Sequence, residues 1–315
     1  MSYILLKNRR GYMKSIGAGM VCGAMLLTAG AIARQHDTRP FAPPADRQPR
    51  ATVTIADYRH GDLLWENDRT AHRIYGAPLE AVEPPSSSGI DAWGKRMRWP
   101  YMDRQLRTGD QHGDHGEGLD FYNVNEFRGA GGLGVWQENK LWVSRNYRNA
   151  RILDNGPTVA RFDVEYAPWP VGVDRRVWER RRFTLPLGTN FTRMTSTIGS
   201  DKAGTLIVGI GISKRGTSDR TGTLTVDRRR GRMIWWGPDE PGKGAMAIAV
   251  MVEPGRIVDI RDDANNHLIL LRVEPGKPFV YYMGAAWSGG PDFRTAESWR
   301  DYVIAQQPDF TPTAK

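Results

Sequence analysis

The chain has 315 residues, 40% of them hydrophobic, with 44 Lys and Arg against 35 Asp and Glu and a formal net charge of +9. That length accommodates one large domain or two small ones. The only cysteine, Cys22, lies near the N-terminus, so the rest of the chain excludes disulfides, thiolate zinc sites and a cysteine nucleophile.

No acidic residue precedes Asp37, and Asn8-Arg9-Arg10-Gly11-Tyr12-Met13-Lys14 fits the twin-arginine export pattern. An apolar run over 16–33 follows, diluted by Gly17, Gly19, Gly23 and Gly30, and closes on Ala31-Ile32-Ala33, a small-x-small cleavage site. The run is short and glycine-rich for a membrane anchor. Gly19-Met20-Val21 is a poor lipobox ahead of Cys22. The expectation is a signal peptide over 1–33, carried by the twin-arginine translocase, leaving a periplasmic or secreted protein without a stable membrane anchor. Without Lys7, Arg9, Arg10 and Lys14 the charge balance is about +5, mostly arginine. For an exported protein this favours acidic polysaccharides over nucleic acid as partners, the alternative being an ordinary solvated basic surface.

Residues 34–50, with Pro40, Pro43, Pro44 and Pro49, read as a flexible leader to a single domain over 51–315. Unusual residues are then dense from Trp65 to Asn149. Glu66–Gly76, Ser88–Arg96 and His115–Tyr122 are the most distinctive stretches, and Gly129–Gly134 reads as a tight turn because no Gly-Lys-Ser/Thr makes it a phosphate loop. Beyond them, apolar and polar residues alternate with a period of two. Ala160, Phe162, Val164 and Tyr166 face one way, Arg161, Asp163 and Glu165 the other, and Phe183, Leu185, Leu187, Met194, Ser196 and Ile198 continue the pattern. Leu206–Ile212 and Ala245–Val252 are apolar throughout, as central strands covered on both sides. Further strands are expected at Thr223–Val226, Met233–Trp236, Ile257–Ile260, His267–Val273 and Phe279–Met283. A helix capped by Thr295, with Glu297 in its first turn and Trp299, Tyr302 and Val303 as its apolar stripe, ends before Pro308. The pattern predicts an all-β fold, a large antiparallel β-sandwich with a C-terminal helix.

The stretches Glu66–Gly76, Ser88–Arg96 and His115–Tyr122 resemble DUF4861, a family of unknown function whose members occur in exported proteins of bacteria that degrade plant and algal polysaccharides. The resemblance covers the chain from about Ile55. More loosely, Arg176–Ile198 is similar to a passage of galactose-mutarotase-like β-supersandwiches. The resemblance implies that fold. It also implies kinship with uronate-processing enzymes that dehydrate a terminal uronic acid during ulvan breakdown, although a fold does not fix a reaction.

Elimination from C4 of a uronic acid removes the weakly acidic C5 proton beside a carboxylate. The enzyme must neutralise that carboxylate and supply a base and an acid. His112 and His115, with Tyr101 and Tyr122, are the catalytic candidates. Lys95, Arg96 and Arg98 are candidates to clamp the carboxylate, Trp93 and Trp99 to face sugar rings, and His72 to line the site. No cofactor is assigned beyond a divalent metal, for which His112 and His115 with Asp114, Glu117 and Asp120 form a candidate cluster on a glycine-rich loop, as an alternative to direct acid–base roles. The resulting expectation is an exported enzyme acting by β-elimination, as dehydratase or lyase, on acidic oligosaccharides. The alternatives are a mutarotase-like epimerase or hydrolase and a non-catalytic glycan-binding protein. The remaining histidines, His36, His60 and His267, and the basic clusters 175–182 and 228–232 read mainly as exposed or structural positions.

Overall fold

In the computed structural model, residues 44–122, 124–214 and 221–312 are described. The export motif, Cys22 and the first part of the proline-rich leader lie outside them.

The N-terminal part supplies β1 (Thr52–Ala56), β2 (Asp62–Glu66), β3 (Ala71–Ile74), α1 (Leu79–Val82), β4 (Asp91–Lys95), α2 (Met102–Arg107) and β5 (Gly118–Leu119). These five strands form one antiparallel sheet in sequential order. There follow β6 (Ala130–Gln137), β7 (Lys140–Trp142), β8 (Asn149–Asn155), β9 (Val159–Val171), β10 (Arg175–Pro186), β11 (Phe191–Ser200), β12 (Leu206–Ser213), β13 (Thr223–Asp227), β14 (Arg232–Trp236), β15 (Met246–Val252), β16 (Ile257–Asp262), β17 (Asn266–Val273) and β18 (Pro278–Trp287), then α3 (Ala296–Ala305). Eight of them make a sheet in the order β13-β14-β15-β18-β11-β10-β9-β8, and five make another, β16-β17-β12-β6-β7. The all-β expectation is met.

Period-two alternation explains how the two large sheets meet. Phe162, Phe183, Met194 and Tyr281 from the larger sheet share one buried cluster with Leu133, Ile210, Ile269 and Leu271 from the smaller. Trp65 of β2 joins that cluster, packing edge-on against Phe162 and Phe183 while its Nε1 donates to Thr192 Oγ1 at 3.0 Å. The indole thereby fastens the N-terminal sheet to the core without leaving a buried donor unpaired. β15 is buried along its whole length because α3 lies over its second face, where Trp299 and Val303 pack on Ala247, Ala249 and Met251. Thr295 caps α3 by accepting from Ser298 N, as its sequence suggests.

The 129–134 segment is not a tight turn. It runs into β6, the neighbour of the apolar strand β12. Its glycines serve close packing: a Cβ on Gly132 would stand 2.6 Å from the Arg128 carbonyl oxygen, and one on Gly134 would stand 2.8 Å from that of Trp142.

Candidate functional site

The N-terminal sheet gathers an unusual set of charges. Register pairs Arg73 of β3 with Asp91 of β4, and both side chains are buried. The Arg73 guanidinium donates to Asp91 Oδ2 from Nε at 3.0 Å and from Nη2 at 2.7 Å, reaches Asp120 Oδ2 at 2.8 Å, and lies 3.8 Å from Asp62 Oδ2. Its plane stacks 5.0 Å from the Tyr75 ring and 5.1 Å from Trp93. Burial opposes the arginine charge, but the acidic groups of Asp91, Asp120 and Asp62 around it keep it firmly protonated.

One cation cannot balance three buried carboxylates, so protons are retained. Burial, reinforced by the neighbouring Asp91, pushes Asp120 up to about 7 against the pull of Arg73 and His112. Burial likewise raises Asp62 to about 6. The Tyr75 hydroxyl, buried and close to Asp91, is held well above the usual phenol range and stays protonated.

This cluster floors a cavity of about 210 Å³ lined by Arg59, Arg73, Tyr75, His112, Asp120 and Tyr122, with residues 83–86 as part of its wall. That is smaller than the roughly 300–1,000 Å³ of sites for drug-sized ligands and suits one sugar ring rather than a chain. Arg59 enters after β1, where its Nη2 donates to Glu83 at 2.7 Å while its buried Nη1 makes no hydrogen bond. His112 stands on a loop pinned from below by buried Gln105 of α2, whose amide donates to the carbonyls of Gln111 and Gly113 at 3.0 and 2.9 Å. The His112 Nδ1 lies 2.8 Å from the Asp120 carbonyl oxygen. A carbonyl only accepts, so Nδ1 carries a proton, which leaves Nε2, 3.4 Å from the Gln111 amide nitrogen, as the acceptor of that tautomer.

Of the residues singled out from sequence, the structure brings His112, Asp120 and Tyr122 to this cavity and leaves the others elsewhere. His115 points its Nε2–H to the Asp110 carbonyl at 3.0 Å and lines no part of the cavity. Tyr101 is buried and donates to the Gly94 carbonyl. Lys95 is a buried anchor: its ammonium sits 2.7 Å from Glu66 Oε2 and from the Trp99 carbonyl, and Glu66 in turn accepts from Tyr101 N and Met102 N at the start of α2. Arg96 is spent on a two-pronged pair with Asp114, and Arg98 on one with Asp292. Trp93 is buried, its Nε1 on Asp91 Oδ2 at 3.0 Å, and Trp99 donates to Glu117. His72 is buried against Trp65, bonded to Thr70 Oγ1 at 2.8 Å, and burial lowers it to about 3, so it stays neutral.

The metal cluster does not assemble. Asp114 is taken by Arg96, Glu117 by Arg104 at 2.7 Å, and His115 by Asp110. Among the described residues no group of three or more His, Cys, Asp or Glu side chains is placed to hold a metal ion. Sequence reading passed over Arg59, Arg73, Tyr75 and Asp91, and weighed Asp120 only as a metal ligand. The available signal was an arginine within the short strand Ala71–Ile74, inside one of the distinctive stretches.

A family model described as "Domain of unknown function (DUF4861)" matches residues 20–312. The chain belongs to the DUF4861 family. The chain is also similar to "Uncharacterized protein P7" of Formosa agariphila, 30% identical over 261 residues, which are 78% of this chain and 64% of that protein. The chain thus spans less than two thirds of the relative's length. Among solved structures, this DUF4861 chain is similar to heparan sulfate lyase HepC from Pedobacter heparinus, with a TM-score of 0.39 at 9% identity over 75% of this chain and 36% of the other. It is also similar to the GH36 alpha-galactosidase AgaB from Geobacillus stearothermophilus, with a TM-score of 0.36 at 11% identity over 74% of this chain and 41% of the other.

Proposed function

We propose that this protein is an exported carbohydrate-active enzyme that eliminates water from a terminal uronic acid of an acidic oligosaccharide. The observation that carries the reading is the His112–Asp120 unit. One residue holds the histidine tautomer through its carbonyl and presents a buried carboxyl pushed up to about 7. A histidine and a carboxyl of raised pKa lining one small cavity support their assignment as base and acid, the pair that general acid–base catalysis requires.

The Arg59 guanidinium, which lines the cavity, receives the sugar carboxylate. His112 Nε2 takes the C5 proton, the C5–H electron pair forms the C4=C5 double bond, and the C4–O bond breaks. The departing oxygen takes the Asp120 proton and leaves as water. Buried Arg73 stays charged throughout and restrains the resulting Asp120 carboxylate. A cavity of about 210 Å³ favours a terminal ring, hence a hydroxyl leaving group, over cleavage within a chain. Export by the twin-arginine route to the periplasm or beyond is part of the same proposal.

The test is incubation with oligosaccharides ending in a uronic acid while recording the ultraviolet absorbance of the 4,5-unsaturated product. Arg59→Ala is expected to raise KM more than it lowers kcat. Turnover without an unsaturated product replaces elimination with hydrolysis or epimerisation. Full activity in His112→Ala removes the assigned base.

A further inference from the structure

The eight-stranded sheet treats its outer face unequally. α3 covers the part over β14, β15 and β11, whereas the outward positions of β8, β9 and β10 meet solvent. Two depressions of about 270 and 330 Å³ lie there and share Arg151, Asp163 and Arg180, so they form one trough; Arg182, Thr195 and Thr197 line its other side. It shares no residue with the cavity at His112.

Register sets the layout. Arg151, Asp163, Arg182 and Thr195 form one row across β8, β9, β10 and β11, and Asn149, Glu165, Arg180 and Thr197 form the next. Buried Asp163 accepts from Arg180 at 2.7 Å and from Arg182 at 2.7 and 3.0 Å. Although burial pushes its carboxyl up, these two guanidinium groups hold it below the usual value. Asp163 therefore takes half-buried Arg182 in a two-pronged pair but holds exposed Arg180 through one nitrogen only, leaving the rest of that guanidinium facing the trough. Glu165 is engaged by Asn149 at 3.1 Å, and Arg151 makes no ion pair among the described residues. Three guanidinium groups against two occupied carboxylates leave the trough cationic. On the same face of β10, two positions from Arg180, Trp178 is 44% exposed and its indole stands over Gly199 of β11. That pose depends on Gly199, where a Cβ would come within 2.2 Å of the indole.

Solvated sheet faces need neither a cavity nor an aromatic platform. Rigid forks match carboxylate and sulfate oxygens, and a flat indole matches the apolar face of a sugar ring. From β8 to β18 the face crosses four interstrand spacings of about 4.8 Å, roughly 19 Å, the span of a short oligosaccharide. From these features we infer that the trough of Arg151, Arg180 and Arg182, with Trp178 at its end, is a second glycan-binding site that holds an anionic oligosaccharide apart from the cavity.

The test is calorimetric titration of the full chain with tetragalacturonate, with sulfated maltotetraose and with neutral maltotetraose. The two anionic probes separate carboxylate from sulfate recognition. At least one is expected to bind, maltotetraose is not, and the affinity is expected to fall with added salt. An Arg151→Ala/Arg180→Ala variant with unchanged circular dichroism and melting temperature is expected to lose one site or to weaken binding at least tenfold. Trp178→Ala, a second and independent change, is expected to weaken it severalfold. His112→Ala is expected to leave this site intact, so failure of the cavity proposal and failure of this one are distinguishable. Unaltered isotherms in both trough variants overturn the inference, as does equal binding of the neutral probe or no binding of either anion.

Discussion

Replacing Asp120 by Asn tests the buried charge cluster and the proposed chemistry together. Folding raises the Asp120 carboxyl from 3.8 to about 7, chiefly through burial. Between those values the folded protein keeps a proton that the unfolded chain has released. The stability this group contributes is therefore complete at low pH and is lost as pH rises toward 7. About three pH units at about 1.4 kcal/mol each give a loss on the order of 4 kcal/mol by neutral pH. Asn removes the titration, while its Oδ1 still accepts from Arg73 and its backbone carbonyl still holds His112. Asp120→Asn should accordingly be more stable than the parent near pH 8, by a few kcal/mol, and close to it only near pH 3, below the unfolded value of 3.8. It should also be inactive, because an amide has no proton to give the leaving oxygen. Urea unfolding across that pH range, read alongside turnover, measures both. A variant whose stability runs parallel to the parent at every pH would refute the charge argument, and one that keeps full turnover would refute the acid assignment.

His112→Ala should reduce turnover by roughly 10²–10⁴-fold without altering the melting temperature, whereas His115→Ala should leave rates within about twofold, as comparison of kcat and thermal unfolding will show. Lys95→Met strands Glu66 as a buried unpaired charge and should cost about 3 kcal/mol or more in urea unfolding. Trp299→Ala removes the side chain that seats α3 on β15 and should cost about 3–5 kcal/mol. Its expected signature is loss of near-ultraviolet circular dichroism from the Phe191–Trp299–Tyr302 stack.

Much of the sandwich was legible in the chain because its signal is local. Alternation along 160–166 orients β9 with no knowledge of its partners, and uninterrupted apolar residues along 206–212 mark a strand covered on both faces. Thr295, Trp299 and Val303 announced α3 in the same way. Gly129–Gly134 misled because glycine permits a turn and a tightly packed strand equally, and only the neighbours Arg128, Ser88 and Trp142 select between them.

The candidate site was half legible for a related reason. Composition alone could mark 65–149 as chemically rich, and His112 and Tyr122 were found there. Proximity along the chain also suggested that His115, Lys95, Arg96 and Asp114 act together, yet each is committed to a structural partner. What the sequence by itself determined is the alternation that builds the sheets and the supply of titratable side chains. Only the tertiary structure decided which of them meet. Register sets Arg73 opposite Asp91, Asp62 reaches Arg73 diagonally from two residues before its β2 partner Leu64, and the return through β5 adds Asp120. Burial then raises the carboxyls of Asp62 and Asp120, because the cost of a charge depends on its surroundings rather than on its place in the chain.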